Sequence, residues 1–265
     1  MENLSQNGSN NKIEKLFIAA RNARDTSDAD TAIKHYEEIS ALEPNSWEAL
    51  FYLVILKTDT IKNNEISNAA TSITNCIPKV FELINIAVED EEIKKECVKE
   101  VVDECIKRAK CLAVMSDNFC ADINQIYNVS FSLTTALMNS SEKYKNKTES
   151  ANRYFNIAFI LTTCGDSIEQ IFGLNDELYR KLAIQAWKES LALHVVHCEK
   201  YKIAVFNDEH IQKQSNKIRK YDASFMLPNV KTTGARNFLI KFAVIFLLLI
   251  AAAVLYGLWI GGLFW

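Results

Sequence analysis

Glycine and proline are scarce in this sequence. Its 265 residues include seven Gly and three Pro, and three of the Gly lie in a hydrophobic C-terminal segment, residues 237–265. Residues 1–236 therefore contain four Gly (7 − 3), well below an average usage of about 7%. β-Sandwiches and barrels need turns rich in Gly and Pro roughly every 8–12 residues. The scarcity argues against an all-β fold and against a Gly-rich loop that binds phosphate.

The sequence also lacks an excess of basic charge and a regular cysteine pattern. The net charge is −3, whereas a nucleic-acid-binding domain is basic as a whole or carries a basic stripe. We therefore predict no nucleic-acid partner. The seven Cys are odd in number and none forms a C-x-x-C pair, which favours a reducing compartment over a disulfide scaffold.

The N-terminus has no features of a signal peptide. Residues 1–11 are polar and lack both a basic region and an apolar region, the two parts that a signal peptide combines. From their composition we predict that residues 1–11 are disordered. Residues 12–222 then form one helical domain, and residues 223–236 a linker.

The C-terminal segment is typical of a transmembrane helix. Phe242–Trp265 contains no charged residue over 24 positions, which at about 1.5 Å per residue crosses the roughly 30 Å hydrocarbon core of a bilayer. The bases Lys231, Arg236 and Lys241 precede it and no charge follows. Since basic residues flank membrane helices on the cytoplasmic side, the sequence predicts a single-pass, tail-anchored protein with its large domain in the cytoplasm.

Three small residues share one face of this predicted membrane helix. Ala253, Gly257 and Gly261 are spaced four residues apart, and small residues at that spacing let membrane helices approach closely. We interpret them as packing residues for a second copy of the chain or for a partner helix. The alternative is that Gly and Ala are simply common in membrane helices.

Helical periodicity extends through residues 12–222, and no segment alternates with a period of two for long, so we predict an all-α domain. Pro78 should kink its helix or start a new one, and the polar run 139–150 reads as a loop. Asp28, Ser46 and Asp176 lie at positions that suit helix N-caps. The predicted helices are 12–24, 29–42, 47–58, 65–89, 90–115, 118–138, 151–172, 177–201 and 208–221.

The first two predicted helices and their closing Pro resemble a tetratricopeptide repeat (TPR), a helical hairpin of 34 residues. Ala20 lies where the family has a small residue. Ala32 and Tyr36 match its A-x-x-x-F pattern, and Pro44 matches its closing Pro. Residues 13–46 form one good match, and residues 47–57 resemble the first helix of a second repeat.

The same stretch departs from the family pattern at three positions. Leu16 replaces the frequent Trp, Ala23 the frequent Tyr, and Ser27 the Gly that is common in the turn. The match covers under a fifth of the chain, and the later helices depart from the 34-residue period. The chain as a whole is similar to bacterial TPR-containing proteins with a C-terminal membrane helix, from which we expect a bacterial inner membrane.

The resemblance implies a groove, lined by the first helices of the pairs, that binds a protein or peptide. Arg21, Arg24 and Trp47 are our predicted contacts, because Arg and Trp are enriched at binding hot spots. The alternative is solvated surface, or core in the case of Trp47. The family's carboxylate clamp uses Lys and Asn at positions that here hold Phe17 and Arg21, so the resemblance does not extend to chaperone-tail binding.

The sequence offers little that indicates catalysis. His194 and Cys198 are four residues apart and form the best candidate pair of metal ligands, but no second pair has matching spacing. They share a stripe with Trp187 and Leu191, which is typical of a core-facing helix. No nucleophile elbow, phosphate-binding loop, kinase motif set or H-E-x-x-H motif occurs. We predict no metal, no cofactor and no enzymatic activity.

Two functions remain from the sequence. The first is a tail-anchored scaffold or adaptor whose helical domain binds a protein partner while its tail holds that partner at a lipid bilayer. The alternative is a membrane assembly protein that acts through oligomerisation of its transmembrane helix.

Overall fold

The computed structural model describes residues 2–59, 61–128, 133–201 and 208–227. All regular structure in these residues is helical, with eight α-helices, one 3-10 turn at Asn63–Glu65 and no strand. The all-α prediction is therefore confirmed for this part of the chain. The helices are α1 (Glu2–Asp25), α2 (Ala29–Leu42), α3 (Trp47–Lys57), α4 (Ile66–Ala87), α5 (Glu91–Asn128), α6 (Leu133–Ile171), α7 (Glu177–Tyr201) and α8 (Glu209–Tyr221).

Short polar side chains start three of these helices, as the sequence predicts. The Asp28 carboxylate accepts a hydrogen bond from the backbone N–H of Thr31 at 3.2 Å, and the Ser46 hydroxyl accepts one from Ala49 at 3.2 Å. Asp176 accepts from the first-turn N–H groups of α7. Each cap satisfies backbone donors that have no partner within the helix, and the predicted bounds of α2 and α7 are confirmed residue for residue.

Four predicted boundaries differ from the structure. α1 begins at Glu2, ten residues before the predicted start at Lys12. α4 continues through Pro78 without a new start. α5 extends to Asn128, although a break near residue 116 was expected, and α6 includes the run 139–150 that the pattern predicts as a loop. Neither of these two stretches contains Gly or Pro, and polarity alone does not end a helix.

The helices pack mainly on their neighbours in sequence. Each of the seven successive pairs from α1–α2 to α7–α8 is in contact, and α4 also packs on α6 and α5 on α7. The apolar faces form one connected cluster of buried side chains that runs from Ala20 in α1 to Ile218 in α8. The domain is thus continuous from its first helix pair to the last described helix.

The α1–α2 pair is closely packed through small residues. Ala20 and Ala32 have no exposed surface, and the large Tyr36 side chain is buried beside them. Tyr36 also stacks on Tyr52 of α3, with ring centroids 5.6 Å apart. The turn between α1 and α2 places Ser27 at φ +61°, in the left-handed region that Gly adopts without steric cost.

The last described helix, α8, contacts the preceding helices through polar groups. The Gln214 amide donates to the Thr162 hydroxyl of α6 at 2.7 Å, and Lys217 forms ion pairs with Asp166 and Glu169 of α6. The Tyr221 hydroxyl donates to Glu169 at 2.7 Å. Only two apolar side chains of α8, Ile211 and Ile218, are fully buried, so polar contacts carry much of its attachment.

The predicted transmembrane segment 237–265 lies outside the described residues, and so do Ala253, Gly257 and Gly261. Among the helices that the structure describes, none combines the length and the apolar character needed to cross a bilayer.

Candidate partner-binding groove

Side chains of α1, α3 and α5 surround a cavity of about 550 Å³, which we call the α1–α3–α5 groove. Its apolar lining includes Ala29, Ile55 and Leu56, and Tyr52 lies beside them. Its charged lining consists of three acids and three bases, so the groove has no net charge. These charged residues are Asp25, Asp59, Glu104, Arg24, Lys107 and Arg108.

Arg24 links the three helices at one end of the groove. Its guanidinium lies 4.2 Å from the centroid of the Tyr52 ring on α3 and donates to Glu100 Oε1 of α5 at 3.3 Å. The Tyr52 hydroxyl donates to the same Glu100 oxygen. Burial raises the pKa of Tyr52, and the hydrogen bond to Glu100 raises it further. Tyr52 therefore acts as a hydrogen-bond donor and packing group, with its proton retained.

The α5 side of the groove carries two further ion pairs. Arg108 is buried and pairs with Asp59, which follows α3. Its Nε atom has no hydrogen-bond partner among the described residues. Lys107, in contrast, is exposed and pairs with Glu104 at 3.2 Å. The exposed pair can exchange its partner at little cost, whereas the buried pair fixes the position of the loop after α3.

The three predicted contact residues occupy different places. Arg24 lies in the groove. Arg21 lines a separate depression of about 440 Å³ beside Phe17 and Ile18, and its guanidinium donates to both carboxylate oxygens of Glu48. Trp47 is half-buried and packs against the core. The structure thus does not bring the three residues together at one site.

Sequence reasoning missed the contribution of α5 to this groove. Glu104, Arg108 and Cys111 are spaced by four and three residues, which places them on one face of a helix, and Glu100 precedes them by one turn. This spacing was available in the sequence. The pairing of that face with Tyr52 and Asp59 was not, because it depends on how α5 packs 40 to 50 residues after α3.

The histidine and cysteine residues of α7 are part of the interior. His194 and Cys198 are both buried, which confirms that they lie on a core-facing stripe. Burial lowers the pKa of His194 to about 3, and the neighbouring His210 lowers it further. Among the side chains that the structure describes, no group of three or more His, Cys, Asp or Glu is arranged to bind a metal ion.

The chain matches no protein-family model and no curated protein sequence.

Proposed function

We propose that this chain is a membrane-anchored scaffold whose helical domain binds a protein or peptide partner in the α1–α3–α5 groove. The observation that carries the proposal is a cavity that three helices share, with an apolar floor and a rim of opposite charges. An amphipathic segment suits such a site, because its apolar side chains fill the floor and its polar side chains meet the rim. The proposed role includes no catalysis.

The N-terminal helix pair supports a TPR-like function. Ala20 and Ala32 are fully buried in the α1–α2 pair, as close packing of a TPR hairpin requires. Ser27 adopts a positive φ in the turn where that family commonly has Gly. In the proposal α1 and α3 are the first helices of two successive pairs and α5 extends the same wall, which gives the groove its three sides.

The proposed membrane anchor rests on the charge-free run Phe242–Trp265 and on the three bases before it. An anchor concentrates a bound partner at the bilayer and so favours its second, membrane-localised interaction. The alternative function is assembly of the chain through its membrane helix. The regular spacing of Ala253, Gly257 and Gly261 is the observation that favours it.

Co-purification of the full-length protein from membranes in mild detergent tests the proposal. We expect a stoichiometric partner that is retained when residues 237–265 are exchanged for an unrelated membrane helix. Lys107→Glu should reduce its recovery about tenfold or more, because it places an acid beside Glu104 at the groove. Lys99→Glu is the matched control, since Lys99 also lies on α5 and pairs with an acid one turn away but does not line the groove.

Two results would contradict the scaffold function. One is a partner that is recovered equally with Lys107→Glu, Lys99→Glu and the unchanged chain. The other is a complex that disappears with the exchanged tail or contains only copies of this chain. Loss of that complex on replacing Gly257 and Gly261 by Leu would then support the assembly function.

A further inference from the structure

Two histidines meet at the junction of α6, α7 and α8. His194 of α7 and His210 of α8 have ring centroids 4.5 Å apart in an edge-to-face arrangement. Both pack on Phe155 of α6, at 5.3 and 5.5 Å between ring centroids. His194 is only 3% exposed, and neither Nε2 atom has a hydrogen-bond partner among the described residues. The pair is thus held in a largely apolar setting.

Few charges in the described part of the chain compensate a proton on this pair. Asp208, the N-cap of α8, is the acid that acts on both His194 and His210. His197 on α7 adds a third titratable ring, tilted against Tyr154 of α6. The other groups that act on His210 oppose each other. They are Lys213 on α8 and Asp166 on α6.

We propose that acidification releases α8 from α6 and α7, because protonation places two like charges on the adjacent His194 and His210 rings. One proton can be balanced by Asp208. A second proton puts two cations 4.5 Å apart in a region with little water, where charge repulsion is strong. Since the direct contacts between α8 and α6 are mainly polar (Gln214, Lys217 and Tyr221), water can replace them once α8 separates.

The direction of the pH effect follows from proton linkage. Burial lowers the pKa of His194 to about 3 and also lowers the pKa of His197 and His210. In the released state these rings are exposed to water and return toward an ordinary pKa of about 6.5. The released state therefore binds more protons below about pH 6.5, so docking of α8 is complete at higher pH and weakens as the pH falls.

Hydrogen exchange of the full-length protein in detergent tests this inference. The protection of the α8 amides is measured at pH 7.5 and 5.5, corrected for intrinsic exchange and compared with that of α2. For each histidine with a strongly lowered pKa, the opening constant of α8 should rise about tenfold over this interval. We expect a rise of at least about tenfold in the unchanged chain, with the protection of α2 unaltered.

The chain supplies a matched control because its remaining histidine, His35, lies in α2. His194→Leu keeps the site apolar and should reduce the rise in the opening constant about tenfold. His35→Leu should leave that rise unchanged. A pH-independent α8, an equal effect of the two substitutions, or an equal loss of protection in α2 would each overturn the inference. If His194→Leu unfolds the domain, His210→Gln provides the same test from the α8 side.

Discussion

At the scale of single residues, the buried carboxylate of Glu48 is the most demanding group in the N-terminal half. Glu48 is 4% exposed. It accepts hydrogen bonds from both Arg21 Nε, at 2.9 Å, and the Tyr36 hydroxyl, at 2.9 Å. A buried charge is costly unless it is paired and hydrogen-bonded. Arg21 therefore has a structural reason to be present that is independent of any partner.

Arg21→Ala should lower the free energy of unfolding by about 2 kcal/mol, because it leaves the Glu48 carboxylate buried without its cation. The Arg21 side chain is 51% exposed, so water limits the loss. Adding Glu48→Gln should recover part of it, since a neutral amide is less costly to bury. Urea unfolding followed by circular dichroism measures both. A loss under about 0.5 kcal/mol, as for the exposed control Lys12→Ala, would instead favour Arg21 as a partner contact only.

Gly165 is a second residue whose identity the packing requires. A Cβ atom at this position would lie 2.3 Å from Nε1 and 2.5 Å from Cδ1 of the Trp187 ring. Trp187 is fully buried and donates to Asp166 at 2.8 Å. The close contact between α6 and α7 at this point therefore depends on the missing side chain.

Gly165→Ala should destabilise the domain by about 1–3 kcal/mol, the usual range for overpacking a core. This sign is opposite to helix propensity, which favours Ala over Gly by about 1 kcal/mol. Chemical unfolding of the single variants and of Gly165→Ala combined with Trp187→Leu measures the coupling. The combined loss should be smaller than the sum of the single losses, because Leu removes the clash. Additive losses, or a stabilising Gly165→Ala, would show that the ring moves freely.

At the scale of helices, Pro78 is the exception to the local rules. It lies inside α4, which continues on both sides of it, although Pro removes a backbone hydrogen bond and clashes with the preceding turn. The buried stripe of α4 includes Ile77 and Val80 beside it. Packing of this stripe therefore outweighs the local cost of about 3 kcal/mol.

Pro78→Ala should raise the free energy of unfolding by about 2 kcal/mol. Ala restores the backbone donor toward the Thr74 carbonyl, and the gain is reduced by about 0.4–1 kcal/mol because Pro also restricts the unfolded chain. Thermal or urea unfolding of the variant checks this. Asn75→Ala, exposed on the same helix, is the control and should gain only about 0.5 kcal/mol. A destabilised Pro78→Ala would mean that α4 needs the geometry that Pro imposes.

The helices that could be predicted are those with a clear apolar stripe and a capping residue at the start. α2 and α7 have both, through Asp28 and Asp176, and their bounds are correct. The run 139–150 has no apolar stripe, so the pattern predicts a loop where α6 is helical. The groove shows the same limit, because Arg24 follows from the resemblance to TPR hairpins, whereas Arg108 takes part only through the packing of α5.

At the scale of the whole molecule, the buried core is one cluster and not a row of separate hairpin cores. It joins α1 to α8 through contacts between successive helices and through the α4–α6 and α5–α7 contacts. In a regular repeat array each unit touches only its neighbours, and stability is close to a sum of local contributions. The additional contacts here make the opening of one end costly for the other, so the domain should unfold as one unit at pH 7.5.

Trp187 provides the measurement, because it is fully buried in α7, far along the chain from α1. With Trp47, Trp259 and Trp265 replaced by Phe, its fluorescence and the helical circular dichroism should give the same urea midpoint. Arg21→Ala, a change in α1, should lower both midpoints equally. If the Trp187 midpoint stays while the dichroism midpoint falls, the N-terminal pair unfolds by itself. The groove would then join two independently stable parts, and partner binding would have to order them at a cost in affinity.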